Sequence, residues 1–270
     1  MPYVNPEAPD WEAPMPSLEV ELLPVLADNY CYLLRDPASG TSGVVDPAEA
    51  EPVLRRLREL ERGLDWAFIT HHHADHIGGL AALQDATGCR AIGPRADAAR
   101  IPGLNVTVSD GDELKFGAQR VVVLETPGHT RGHVSYWFPE GEALFCGDTL
   151  FALGCGRLFE GDAPTMWKSL SRLMGLPDTT RVFCGHEYTL NNARFALGID
   201  PDNKDLIRRA AEVEAKRARN EPTVPSTIAL EKATNPFLRA SDRSIRKGLG
   251  MEQATDAEVF AEIRRRKDAA

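Results

Sequence analysis

Four side chains able to bind a metal ion, His71, His73, Asp75 and His76, fall within six residues in the run Thr70-His71-His72-His73-Ala74-Asp75-His76. The run directly follows the apolar stretch Trp66-Ala67-Phe68-Ile69, which reads as a buried strand. In extended backbone alternate side chains share a side, so His71 and His73 can face one ion together. If a helix begins just after, near Ile77-Gly78-Gly79-Leu80, Asp75 and His76 lie on its first turn and face a second position. Neutral imidazole with carboxylate suits zinc, iron or manganese, and two such ions side by side make a hydrolytic centre. His72 alternates away and is read as a non-ligand, hydrogen-bonded behind the site or turned to solvent.

Further ligands follow the same pattern of apolar strand, small residue, polar side chain. His129 comes after Val121-Val122-Val123-Leu124, Asp148 after Leu144-Phe145-Cys146-Gly147, and His186 after Val182-Phe183-Cys184-Gly185. An α/β protein delivers polar groups from strand ends into one crevice in this way. His71, His73 and His129 would give a first ion three imidazoles and leave room for water. Asp75, His76 and His186 would do the same for a second ion. Asp148, with two carboxylate oxygens, is the natural bridge between ions about 3.5–4 Å apart. A single zinc already brings the pKa of bound water to about 7. The expected nucleophile is therefore a bridging hydroxide, with Asp75 and Asp148 as the catalytic carboxylates. His133 reads as a residue behind the ligands, and Asp46 either as a support for a metal-bound histidine or as a turn-former before Pro47.

The elements that must position these groups divide near residue 190. Short strands are expected at 17–26, 30–35, 43–45, 67–69, 120–125 and 134–138, with helices at 48–60, 78–87 and 164–174. Beyond Leu190 the strand signal vanishes. Helices are expected at 202–220, rich in Ala, Glu, Lys and Arg, and at 256–267, with Pro222, Pro225 and Pro236 as breaks. Residues 1–17, with five prolines and several acids, read as an extended arm with no targeting character. The net charge of −9 argues against nucleic acid as a bulk partner. No apolar run is long enough to span a membrane. Five cysteines with no CxxC pair argue against a disulfide framework and point to the cytoplasm.

The strings THHHADH, TPGHT, GDTLF and CGHEYT, at these intervals, resemble the metallo-β-lactamase superfamily. Within it the chain resembles the glyoxalase II (hydroxyacylglutathione hydrolase) family through Asn29-Tyr30-Cys31-Tyr32, Gly154-Cys155-Gly156-Arg157-Leu158-Phe159, Tyr188-Thr189-Leu190-Asn191-Asn192, Asn235-Pro236-Phe237 and Arg264-Arg265-Arg266-Lys267. The resemblance implies an α/β fold, an αββα four-layer sandwich over 18–189 followed by a C-terminal helical domain over 190–270 that binds glutathione. It implies two divalent metal ions, zinc first and iron or manganese as alternatives. Its substrate would be a glutathione thioester such as S-D-lactoylglutathione, cleaved to glutathione and D-lactate by a monomer. Arg157, Arg264 and Lys267 would hold the glycine carboxylate and nearby backbone, and Tyr188 and Asn192 the peptide. Phe159 stands where some members carry tyrosine, so a hydrogen bond worth about 0.5–1.5 kcal/mol is absent and weaker or shifted glutathione recognition is implied. Three rivals share the motif: a mononuclear-iron glutathione persulfide dioxygenase, another hydrolase of the fold such as a β-lactamase or phosphodiesterase, and a scaffold without catalysis.

Overall fold

The first sheet shows how alternation builds two cores from one strand. In β2 (Asn29–Arg35), Tyr30, Tyr32 and Leu34 belong to one buried cluster, while Cys31 and Leu33 belong to another. The computed structural model describes residues 18–270, so the arm expected at 1–17 lies outside the described residues. The sheet runs β1 (Glu19–Val25), β2, β3 (Ser42–Val45), β4 (Trp66–Phe68), β5 (Arg90–Pro94), β6 (Leu104–Val108), in that spatial order. Its first three strands are antiparallel and the rest parallel, with α1 (Ala50–Glu59) and α3 (Leu80–Thr87) among the crossovers. Val44, Ala67 and Ala91 face Val53 and Leu57 of α1 and Leu80 and Leu83 of α3. Val45, Phe68 and Ile92 face the other way, into the space between the sheets.

The second sheet comprises β7 (Glu113–Phe116), β8 (Gln119–Glu125), β9 (Val134–Phe138), β10 (Ala143–Gly147), β13 (Arg181–Cys184) and β14 (Ser226–Thr227), ordered β14-β13-β10-β9-β8-β7. Phe68 fills the space between the sheets, edge-on to Phe116, Tyr136 and Phe138 at 5.2–6.0 Å. Burying one such ring contributes about 1.5–3 kcal/mol, so this aromatic layer is a principal hold on the sandwich. Helix α4 (Ala163–Met174) covers the second sheet, with Met166, Leu170 and Leu173 buried and Asp162 capping its start by accepting from Thr165 N. The expected four-layer sandwich is therefore present.

Between β10 and α4 the chain forms a small hairpin, β11 (Leu150–Phe151) and β12 (Gly154–Cys155). The helices that follow β13 are α5 (Thr189–Ile199), α6 (Lys204–Ala218), α7 (Ile228–Thr234), α8 (Arg243–Leu249) and α9 (Asp256–Asp268). A capping box at Thr255 and Glu258 starts α9, which lies against α4 with Trp167 and Phe260 in contact.

The structure adds to or corrects the expected elements at three points. The segment 90–116 holds three strands, β5 to β7, although its interleaved Gly, Pro and charged residues hide their alternation. The helix expected at 78–87 is α3, from Leu80, but Asp75 and His76 lie before it on a separate turn, α2 (Ala74–Ile77), and not on its first turn. A side chain at Gly79 would meet the backbone of Pro47 and Glu49 within 2.8 Å, and this close approach is where the path breaks. Strand structure also does not end at Leu190, because β14 returns to pair with β13.

Candidate metal centre and cleft

All seven residues singled out as ligands converge. His71 Nε2 lies 3.1 Å from His73 Nδ1, which lies 3.0 Å from His129 Nε2. Nitrogens around one zinc, each at about 2.0–2.1 Å, are separated by roughly 3.4 Å in a tetrahedron, so this spacing suits a single ion. The second set is Asp75, His76 and His186, with His186 Nε2 3.5 Å and His76 Nε2 3.8 Å from Asp75 Oδ2. In each set the donor atoms lie within 4.8 Å of one another. Asp148 stands between the sets. Its Oδ2 is 3.4 Å from His129 Nε2 and 3.4 Å from His186 Nε2, and its Oδ1 is 3.4 Å from His76 Nε2. One carboxylate oxygen is thus equidistant from a nitrogen of each set.

His76 Nε2 and Asp148 Oδ1 are buried without a hydrogen-bond partner among the described residues. Buried polar atoms are almost always satisfied, so two orphans aimed at each other within a nest of imidazoles fit a site for cations. Asp46 forms a third group with His71 and His76. Its carboxylate is already committed, accepting from Thr70 N (2.8 Å), Thr70 Oγ1 (2.7 Å) and His76 Nδ1 (2.9 Å), which makes it a support.

The supports fix which ring nitrogen is free. Thr70 Oγ1 gives its proton to Asp46, so it accepts from His71 Nδ1 at 3.0 Å and leaves His71 Nε2 with its lone pair. His129 Nδ1 donates to the Arg157 carbonyl at 2.8 Å and His186 Nδ1 to Asp28 Oδ1 at 2.9 Å. His133 is fully buried and accepts from Asp148 N at 3.1 Å, so it holds the main chain of Asp148. His72 does turn away: its Nδ1 meets Asp97 Oδ2 at 3.1 Å and its Nε2 meets Arg100. Two glycines make the close approach possible. A side chain at Gly185 would sit 2.6 Å from Asp148 Oδ1, and Gly147, at φ +44°, would bring one 2.3 Å from Thr70 Oγ1.

Burial lowers the pKa of His71 well below the usual histidine value and that of His73 to about 4, with the neighbouring imidazoles adding to the effect. These rings are neutral donors at pH 7. For His76 burial acts downward too, but Asp148 and then Asp46 outweigh it and raise the pKa to about 9. In the metal-free protein His76 therefore contributes stability that is complete below about pH 6.5 and is lost as pH rises through 9. A cation bound at Nε2 must displace that proton. Affinity at this set should rise about tenfold per pH unit through neutrality and level off above 9. Calorimetry in buffers of different ionisation enthalpy should register the released proton; affinity that is flat in pH would refute the displacement.

One cleft of about 480 Å³ is lined by His73, Asp75, His129, Asp148 and His186 and by Arg157, Phe159, Tyr188, Asn192, Arg264 and Lys267. Tyr188 stacks on His186 at 4.7 Å and 6°. Phe159, 61% exposed, stands edge-on to His73 and His129 at the rim. Arg157 is open, with Nε 3.5 Å from Asp268. Lys267 donates to Asn191 O at 3.2 Å and lies over Phe195; burial, and then Arg264, lower its pKa. Two of the expected substrate contacts already serve the fold. Arg264 is buried and donates to Cys155 O (3.1 Å) and Asp268 (2.8 Å), and Asn192 donates to Ala152 O at 3.1 Å. Arg265 and Arg266 pair with Glu262, away from the cleft. Sequence reading missed Asp28, Asn29 and Thr70 as supports, and Phe151, Cys155 and Asn191 as lining.

Residues 26–186 match the model of the metallo-beta-lactamase superfamily, and residues 187–270 match that of the hydroxyacylglutathione hydrolase C-terminus. A hydroxyacylglutathione hydrolase of Maricaulis maris (strain MCS10) is 54% identical over 255 residues, spanning 94% of this chain and 100% of its own. The chain belongs to the hydroxyacylglutathione hydrolase family of the metallo-β-lactamase superfamily. Among solved structures, ETHE1 from Myxococcus xanthus superposes with a TM-score of 0.66 at 30% identity, over 92% of this chain and 90% of that one. TTHA1623, solved in a di-iron-bound form, gives 0.58 at 28% identity, over 82% and 100%. The fold and the His/Asp clusters support a dinuclear metal site. Among the described residues no helix is long and apolar enough to cross a membrane.

Proposed function

We propose that the protein hydrolyses S-(2-hydroxyacyl)glutathione thioesters, S-D-lactoylglutathione among them, to glutathione and a 2-hydroxy acid. The observation that carries this reading is the shared cleft: His73 and His129 of one metal-capable set, Asp75 and His186 of the other, and the cations Arg157, Arg264 and Lys267 line the same space. His71, His73 and His129 would hold one divalent ion, Asp75, His76 and His186 the other, and Asp148 both. The imidazole-rich set suits zinc best and accepts iron or manganese. When bound, such a pair supplies Lewis acidity toward the carbonyl and a water that is deprotonated near neutral pH.

The chain's own residues do the rest. Arg157 and Lys267, with Arg264 behind them, offer positive charge to a substrate whose glutathione part bears two carboxylates. Phe159 presents an apolar edge at the rim, where it can exclude water from the reacting carbonyl. A thiol with an ordinary pKa near 8.5 leaves as thiolate without a dedicated acid. The second set also speaks for a dinuclear hydrolase over a mononuclear-iron dioxygenase, which would leave Asp75, His76 and His186 without a task.

We read 18–189 as the catalytic unit and 190–270 as the helical unit that selects glutathione. We read the working unit as a monomer. The five cysteines are buried and unpaired, as suits a cytoplasmic enzyme. The test is hydrolysis of S-D-lactoylglutathione by metal-analysed protein; no turnover with both positions filled would refute the proposal. In the same assay Lys267→Ala should raise KM far more than it lowers kcat, since its cation contributes equally to ground and transition states. A loss confined to kcat would move Lys267 out of substrate binding.

A further inference from the structure

The two sets of donors are supported by different chemistry. His71 leans on a hydroxyl and His129 on a backbone carbonyl, both neutral. His76 and His186 each lean on a carboxylate, Asp46 and Asp28, at 2.9 Å in both cases. An imidazole that donates to a carboxylate is the more basic metal donor. Asp28 stands 158 positions from His186 in sequence, in the turn between β1 and β2. The next residue, Asn29, donates its side-chain amide to Asp75 twice, to the carbonyl at 3.0 Å and to Oδ2 at 3.1 Å. Asp75 needs this hold, because its side chain is 42% exposed while that of Asp148 is 8% exposed. The turn itself is fastened on both sides. Tyr30 N donates to Gly185 O and Glu187 N to Asp28 O, each at 2.8 Å, and Leu26 N donates to Glu49 Oε2 at 2.9 Å.

We propose that the Asp28–Asn29 turn is the positioning device of the second metal position. Through His186 and Asp75 it sets how tightly the ion there is retained, and it leaves the ion at His71, His73 and His129 untouched. Asp28 and Asn29 act through ligands and are positioning residues, not catalytic ones. The proposal rests on the two-metal reading given above.

The test is titration of metal-free protein with zinc against a chromophoric chelator, with Asp28→Asn and Asn29→Ala beside the parent chain. The parent should bind two ions per chain. Each variant should keep one class of site unchanged and weaken about 10–100-fold at the other, the usual cost of removing a partner behind a ligand. Asp28→Asn is isosteric at a side chain that is 45% exposed, so it carries the test if Asn29→Ala does not fold. Two unchanged sites in the variants, or two sites weakened alike, would overturn the proposal. A parent chain that binds only one ion would overturn the two-metal reading, and this proposal with it.

Discussion

Asp148→Ala is expected to lower kcat/KM for S-D-lactoylglutathione by about 10³-fold or more and to reduce bound metal below two ions per chain. Asp148 lies 3.4 Å from a nitrogen of His129 in one set and of His186 and His76 in the other. Burial acts to raise its pKa, yet His76, His186 and His129 outweigh burial and hold it well below the carboxylate range. It is therefore an anion wherever the enzyme works, and its loss leaves two groups of donors with nothing to join them. A metal pair held there would supply several kcal/mol of transition-state stabilisation, and each 1.36 kcal/mol is tenfold in rate. Asp148→Asn should fall between, since a carboxamide keeps the volume and one acceptor but not the charge. The main chain should hold in both variants, because His133 grips Asp148 N and not its side chain. Kinetics and metal content measured on one preparation decide the matter: full activity with two ions in Asp148→Ala would remove the bridge from the mechanism.

The seven converging donors were legible because each stands just past an apolar strand, where side-chain direction is fixed by backbone period and burial fixes the strand. His72 was assigned away from the site by the same period, and it does meet Asp97 instead. Asp28 and Asn29 were not legible as supports. Their partners lie 158 and 46 positions away, and nothing in a turn before a strand announces a contact made only once distant strand ends meet in the fold. The three strands of 90–116 escaped for another reason. Their exposed faces carry Arg90, Asn105, Glu113 and Lys115, and the buried faces are too short to show a run. The C-terminal cations show the limit of residue type. Lys267 and Arg157 reach the cleft with charge to offer, whereas Arg264 spends two of its nitrogens on Cys155 and Asp268.

Glu231→Ala should destabilise the protein by about 3–5 kcal/mol, the cost of breaking a buried ion pair from one side. Its side chain is wholly buried and pairs with Arg209 of α6. The same carboxylate accepts from Ser226 Oγ (2.5 Å), Leu153 N (2.9 Å) and Asn235 Nδ2 (2.9 Å). One group thereby ties α6, α7 and β14 to the β11–β12 hairpin, where Leu153 takes φ +59°. At about 2–4 °C per kcal/mol, the melting temperature should fall by roughly 6–20 °C. Arg209→Met with Glu231→Leu removes both charges and should recover part of the loss. It should not recover all, because Leu153 N–H would still lack its acceptor, a cost of about 1–3 kcal/mol. That residue of damage sits where it can be read in function. The hairpin sends Phe151 and Cys155 into the cleft, so the double variant should show a raised KM at a temperature where it is fully folded. Calorimetry and kinetics on the two variants separate the effects. A Glu231→Ala protein that melts within a degree or two of the parent would mean that the pair is neither buried nor coupled as the fold implies.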